Sequence, residues 1–178
     1  MNVQLSYTSE VITGAVKITG SKSESNRLLI LQALFPQIEI ENLSNSDDTN
    51  VLQKALLSEV ESIDVHHAGT AMRFLTAFYA TREGKSVTLT GSKRMQERPI
   101  KILVDALREL GADISYLKNE GFPPLKINGK RLVKNEITVQ ANISSQYISA
   151  LLMIAPVIEG GLTLRLKNKI TSRPYIEL

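Results

Sequence analysis

Three short stretches of this sequence bring together residue types that bind anions. Ser21, Lys22 and Ser23 in "GSKSESNR" stand just before a long apolar run, with Arg27 one helical turn further in. Gly69 and Thr70 in "HAGTAMR" precede a second run, again with an arginine, Arg73, one turn in. Ser144, Ser145 and Gln146 precede a third. Each run is where a helix should begin, and a helix N-terminus carries unpaired N–H groups and a partial positive charge. Lys22 has the wrong charge for such a place unless an anion lies between them. Glycine lets a ligand approach the backbone, and hydroxyls and amides donate neutral hydrogen bonds, so phosphate or carboxylate suits all three stretches. Taken singly, each is an ordinary helix cap contributing about 1 kcal/mol. Three in one chain, two with an arginine one turn in, point to a ligand.

Other residues rank below these. Arg94 and Arg98 in "SKRMQERP" flank an amphipathic helix and suit a bidentate clamp on an anion. Asp47 and Asp48 open a helix near Thr49, where carboxylates suit the dipole, and read as capping. His66 and His67 are adjacent and cannot share one helix face; with no cysteine in the chain, no metal site is expected.

The elements that must position these residues follow a repeated plan. Residues 21–56, 69–107 and 144–178 each have a hydroxyl-bearing start, an apolar helix, an alternating strand, a polar loop and a second helix. Between the second and third come "ADISYLK", "PPLKING" and "EITVQA", with Ile114 and Tyr116, Leu125 and Ile127, and Ile137 and Val139 on one side. That period of two describes a sheet with one wet face. The first helices have no polar face, as in residues 28–35 and 148–154, and are expected to be buried. In "PIKILVDALREL", by contrast, Ile100, Leu103, Val104, Leu107 and Leu110 form one stripe. The expected class is α/β, with repeated βαβαββ units, helices inside and sheets outside. Pro174 suits a first helical turn that the last residues leave no room to complete, so the chain reads as a fragment stopped within its third unit.

Composition sets wider limits. The chain has 178 residues, 43% of them apolar, enough for one domain with a real core. Its formal charge of +3 is spread along the chain rather than run together, which suits small anionic substrates better than nucleic acid. The absence of cysteine excludes disulfides, thiolate zinc sites and cysteine nucleophiles. The start of the chain has no basic region followed by an apolar one, and no apolar run approaches the roughly 18 residues of a membrane span. A soluble cytoplasmic protein without membrane or nucleic-acid partners is expected.

"GSKSESNR", "HAGTAMR", "RMQERP", "SSQ" and "SRPYI", in this order and at these intervals, closely resemble the 5-enolpyruvylshikimate-3-phosphate (EPSP) synthase family. The resemblance implies transfer of the enolpyruvyl group of phosphoenolpyruvate to the 5-hydroxyl of shikimate-3-phosphate, with release of phosphate and no metal or organic cofactor. It implies an inverted α/β barrel of two domains, with the substrates in the cleft between them. Residues 14–178 would then be the first domain, and residues 1–13 would pair with a second domain of the same chain, absent here. Lys22, as catalytic residue, would meet both substrates. Ser23 and Arg27 would hold shikimate-3-phosphate, with Ser144, Ser145 and Ser172 on its phosphate. Gln146 would lie between the ligands, with Tyr175 close by. The Gly69 N–H and Arg98 would grip the phosphate of phosphoenolpyruvate. His67 stands where the family often has Asn, and can still donate to an oxygen of that ligand; Phe74 stands where Pro is common.

Two other readings share the fold. The related UDP-N-acetylglucosamine enolpyruvyl transferase would bring a cysteine and an Asn-containing start motif that this chain lacks. An RNA- or phosphate-binding βαβαββ module would want exposed aromatics or a dense basic stripe. The nine aromatic residues, four Phe and five Tyr, are too few and several fall at core-facing positions.

Overall fold

The computed structural model describes residues 3–4, 6, 13–140, 144–170 and 172–178. The expectation for residues 1–13 therefore falls mostly outside the described residues. Six helices are present among the described residues: α1 (Lys22–Leu34), α2 (Asp47–Leu56), α3 (Gly69–Ala80), α4 (Lys101–Glu109), α5 (Ser145–Ile154) and α6 (Pro174–Glu177). Six strands accompany them: β1 (Ser62–Asp64), β2 (Ser86–Thr90), β3 (Asp113–Tyr116), β4 (Leu125–Asn128), β5 (Glu136–Gln140) and β6 (Thr163–Lys167).

From β1 to β4 the order is βαβαββ, a complete unit. Its sheet runs β1-β2-β4-β3, with β1 parallel to β2 and the other pairs antiparallel. The register lines up two apolar rows: Val87 faces Ile127, which faces Ile114, and Ile63 faces Leu89, which faces Leu125. These side chains are buried while their neighbours alternate outward, the pattern of a sheet with one wet face. The next unit opens with β5 and β6 paired in parallel across α5.

The buried face of the sheet covers α3, every residue of which is buried. Two of its polar side chains bond back within the helix: Thr76 Oγ1 donates to the Met72 carbonyl, and Arg73 Nη1 to the Gly69 carbonyl. Helix α4 lays Leu103, Val104 and Leu107 on the core and leaves Ile102 outside, as its stripe requires. Helices inside and sheets outside is thus the arrangement adopted. No helix among the described residues is long and apolar enough to cross a membrane.

Helix α1 departs from the expectation of full burial. Only Ser25, Asn26, Arg27, Leu29 and Ile30 are buried, and Leu28 is exposed. The reason is missing cover. Among the described residues, 13–20 and 37–41 form no paired strands, so the first unit has no sheet to lay over its helix. The chain passes from α2 to β1 in a short link, where the second unit places a hairpin between α4 and β5.

Two smaller expectations are also corrected. Helix α2 begins at Asp47 and is capped by Ser46, whose hydroxyl accepts from the Thr49 N–H, so Asp47 and Asp48 sit in the first turn. After Pro174 the chain does complete one helical turn, α6.

Candidate functional site

The N-terminal ends of α1, α3 and α5 converge on one polar cavity of about 380 Å³. Its wall holds Lys22, Ser23, Arg27, Ser144, Ser145, Gln146, Arg98, Ser172 and Tyr175. Asn26, Thr70 and Arg73 complete it, and of these only Thr70 and Arg73 stood out in the sequence as parts of a helix start. Gly69 and His67 lie beside this cavity rather than on its wall. His67 lines an adjoining space of about 410 Å³ with Ser92, Arg94, Met95 and Arg98. Arg98 thus faces both spaces.

Each helix start is built by its own local chemistry. Ser21 caps α1, accepting from the Glu24 N–H, and Ser144 caps α5, accepting from the Gln146 N–H. Gly20 precedes the first cap because its N–H donates to the Asn42 carbonyl at 2.9 Å, where a Cβ would come within 2.0 Å of that oxygen. Helix α3 begins after Ala68 with no side-chain cap. Its start is filled instead by a guanidinium, since a Cβ on Gly69 would lie 2.3 Å from Arg98 Nη1. Glycine is what allows this close approach. The Thr70 N–H donates to Asp48 Oδ1 at 3.4 Å.

Further contacts hold the site's side chains in place. Gln146 Nε2 donates to Thr70 Oγ1 at 3.2 Å and so joins α5 to α3. Tyr147 OH donates to the Pro99 carbonyl at 2.7 Å, holding the segment that carries Arg98, and the Arg73 guanidinium lies 5.3 Å above the Tyr147 ring. Arg27 is the most heavily engaged: Nη1 donates to the Ser23 carbonyl at 2.8 Å, while Nη2 donates to Ser149 Oγ at 2.8 Å and the Tyr175 carbonyl at 2.6 Å. Ser149 Oγ itself donates to that carbonyl. Arg27 therefore ties the 172–178 segment to the cavity as well as lending it charge. Like Asn26, Ser149 was missed in the sequence, because nothing local marks a buried serine 122 positions away as the partner of Arg27.

The electrostatics are one-sided. Lys22, Arg27, Arg73 and Arg98 share the cavity, yet among the described residues none forms an ion pair; the pairs that do form involve Lys101, Arg131, Arg165 and Arg173 elsewhere. Burial pushes the Arg27 and Arg73 pKa values down; for Arg73, Tyr147 and Asp48 oppose this, while the neighbouring Arg98 adds to it. A buried cation without a counter-charge is costly. Arg73 Nε and Asn26 Nδ2 are in addition buried without an acceptor. Fixed cations, three helix N-termini and several hydroxyls around one space give it the chemistry of a site for a small, multiply charged anion. No group of three or more His, Cys, Asp or Glu among the described residues is placed to hold a metal ion.

The chain is similar to proteins of known family. The family model of EPSP synthase (3-phosphoshikimate 1-carboxyvinyltransferase) matches residues 51–178. A 3-phosphoshikimate 1-carboxyvinyltransferase of Bacteroides fragilis is 56% identical over 168 residues, 94% of this chain and 41% of that protein. One of Shewanella piezotolerans is 40% identical over 196 positions, 95% of this chain and 46% of that protein. The solved EPSP synthase of Acinetobacter baumannii superposes with a TM-score of 0.73 at 19% identity, covering 92% of this chain and 42% of that one. The chain spans about two fifths of the length of such relatives. The family match takes in α3, the Arg98 segment, α5 and α6, and so every segment lining the polar cavity except α1: the chain belongs to the EPSP synthase family.

Proposed function

We propose that this chain is the shikimate-3-phosphate-binding part of a 3-phosphoshikimate 1-carboxyvinyltransferase of the shikimate pathway. The observation that carries the reading is the cavity in which Lys22, Arg27, Arg73 and Arg98 meet three helix N-termini, none of the four cations forming an ion pair among the described residues. In this reading Ser144, Ser145 and Ser172 take the phosphate of shikimate-3-phosphate, Ser23 and Arg27 its remaining polar groups, and Gln146 the space between the ligands. The Gly69 N–H, His67 and Arg98 take phosphoenolpyruvate. Lys22 meets both and neutralises charge as the phosphate leaves. Residues 14–178 act as one domain, and a second domain of the same chain closes over the ligands and supplies the carboxylates that move protons.

General acid–base help contributes about 10²- to 10⁴-fold in rate, so the chain alone is expected to show no measurable turnover; a robust rate from the pure chain contradicts this. The test of the binding role is calorimetric titration with shikimate-3-phosphate at low salt, up to several millimolar. Saturable heat that inorganic phosphate competes for only weakly supports a preformed half-site. No heat from a folded chain contradicts it.

A further inference from the structure

The only two histidines of the chain, His66 and His67, occupy the turn between β1 and α3. Their rings meet edge to face, with centroids 4.7 Å apart, and the two Nδ1 atoms lie 2.5 Å from each other. Such a contact needs one ring to carry Nδ1–H and the other to present a bare Nδ1. The turn fixes the backbone that carries His66. His66 has φ of 49°, a left-handed conformation in which His is among the enriched residues. Its N–H donates to Asp64 Oδ1 at 2.7 Å, and its carbonyl accepts from the Ser92 N–H at 2.9 Å.

The surroundings of the pair are uneven. Asp64, at the end of β1, holds the backbone of His66, whereas His67 lines the space that also holds Ser92, Arg94, Met95 and Arg98. The positive end of an N–H dipole is favoured beside a carboxylate and disfavoured beside guanidinium groups. The shared hydrogen therefore belongs on His66. That leaves His67 with a bare Nδ1 and its own hydrogen on Nε2, the ring nitrogen not used in the pair. A bare Nε2 would repel an anionic oxygen; Nε2–H donates to one.

We propose that His66 is a positioning residue whose Nδ1–H fixes His67 as the Nε2–H tautomer, giving the space beside Arg98 a neutral hydrogen-bond donor for an anionic oxygen. This rests on the anion-site reading above and assigns the part played by the histidine turn. An imidazole locked in this way does the work of a side-chain amide without adding charge beside Arg94 and Arg98.

With only two imidazoles in the chain, their tautomers can be read directly from long-range proton–nitrogen correlation spectra of the chain carrying ¹⁵N-labelled histidine. The spectra are taken at pH 8, where an ordinary imidazole is neutral. His67→Gln assigns the wild-type signals. His66→Gly removes the partner at a φ that glycine adopts without strain. The expected wild-type pattern is hydrogen on Nδ1 of His66 and on Nε2 of His67. In His66→Gly, His67 should become a mixture of tautomers, and the dissociation constant for inorganic phosphate should rise about 2- to 10-fold, the range of one neutral hydrogen bond. Wild-type His67 with its hydrogen on Nδ1, or an unchanged Nε2–H tautomer in His66→Gly, overturns the proposal. Phosphate that shifts neither the Gly69 nor the Arg98 signals of the wild type defeats the anion-site reading itself. Phosphate that shifts both while His67 carries its hydrogen on Nδ1 defeats this proposal alone.

Discussion

Helices α1 and α3 each contribute to two cavities of similar size and opposite chemistry. At their N-terminal ends lies the polar space of about 380 Å³ with its four cations; towards their C-terminal ends lies a more apolar one of about 330 Å³, lined by Leu29, Ala33, Leu56 and Phe78 and also by Arg82. Volume does not separate them. What does is the end of the helix: free N–H groups and the positive end of the dipole at one, carbonyl groups, the negative end of the dipole and apolar side chains at the other. Arg82 makes the same point as a single residue. Its guanidinium sits 5.3 Å above the Phe78 ring with no helix N-terminus beside it, an aromatic contact rather than part of a cation cluster. The apolar space also marks the flank of α1 that the sheet-less first unit leaves partly uncovered.

This contrast can be broken or sharpened by substitution. The largest effect should come from the apolar end, where Leu29→Ala is expected to cost about 2–5 kcal/mol of folding stability in urea titrations while leaving shikimate-3-phosphate affinity unchanged. A loss of affinity without a loss of stability would erase the distinction between the two ends. Next comes Arg98→Ala, which removes a charge-assisted contact and should weaken inorganic phosphate binding about 10- to 100-fold by calorimetry, with little change in stability. An Arg82→Ala control that weakened phosphate equally would show that net charge, and not the cavity, is being measured. Ser145→Ala removes a neutral donor and should weaken shikimate-3-phosphate binding about 2- to 10-fold. Smallest is the effect of raising ionic strength from about 0.05 to 0.15 M, which should weaken binding only a few-fold because Arg27 and Arg73 are buried and less screened than the exposed Lys22 and Arg98.

Much of this was legible in the sequence, for identifiable reasons. Residues 69–80 are mostly apolar with no polar face, and α3 is buried throughout. The alternation of Ile114, Leu125, Ile127 and Ile137 gave the inward face of the sheets directly. Residues 28–35 look equally apolar, yet α1 is only half covered, because burial depends on what packs against a helix and not on the helix alone. In the same way, Ser46, Asp47 and Asp48 are all capping types, so composition could not say which of them is the cap. The link from Arg27 through Ser149 to the Tyr175 carbonyl joins three distant parts of the chain and leaves no local pattern. Adjacency told only that His66 and His67 cannot share a helix face; the left-handed turn that presses their rings together is a property of the backbone.

The central claim is that the polar end, and not the apolar one, is built for the ligand. The most direct measurement is amide chemical-shift mapping of the ¹⁵N-labelled chain during titration with shikimate-3-phosphate. The account predicts saturable shifts centred on Lys22, Ser23, Arg27, Thr70, Ser145 and Gln146, with the amides of Ala33, Leu56 and Phe78 unmoved. Saturable shifts centred on Ala33, Leu56 and Phe78, with the helix N-termini silent, would contradict it.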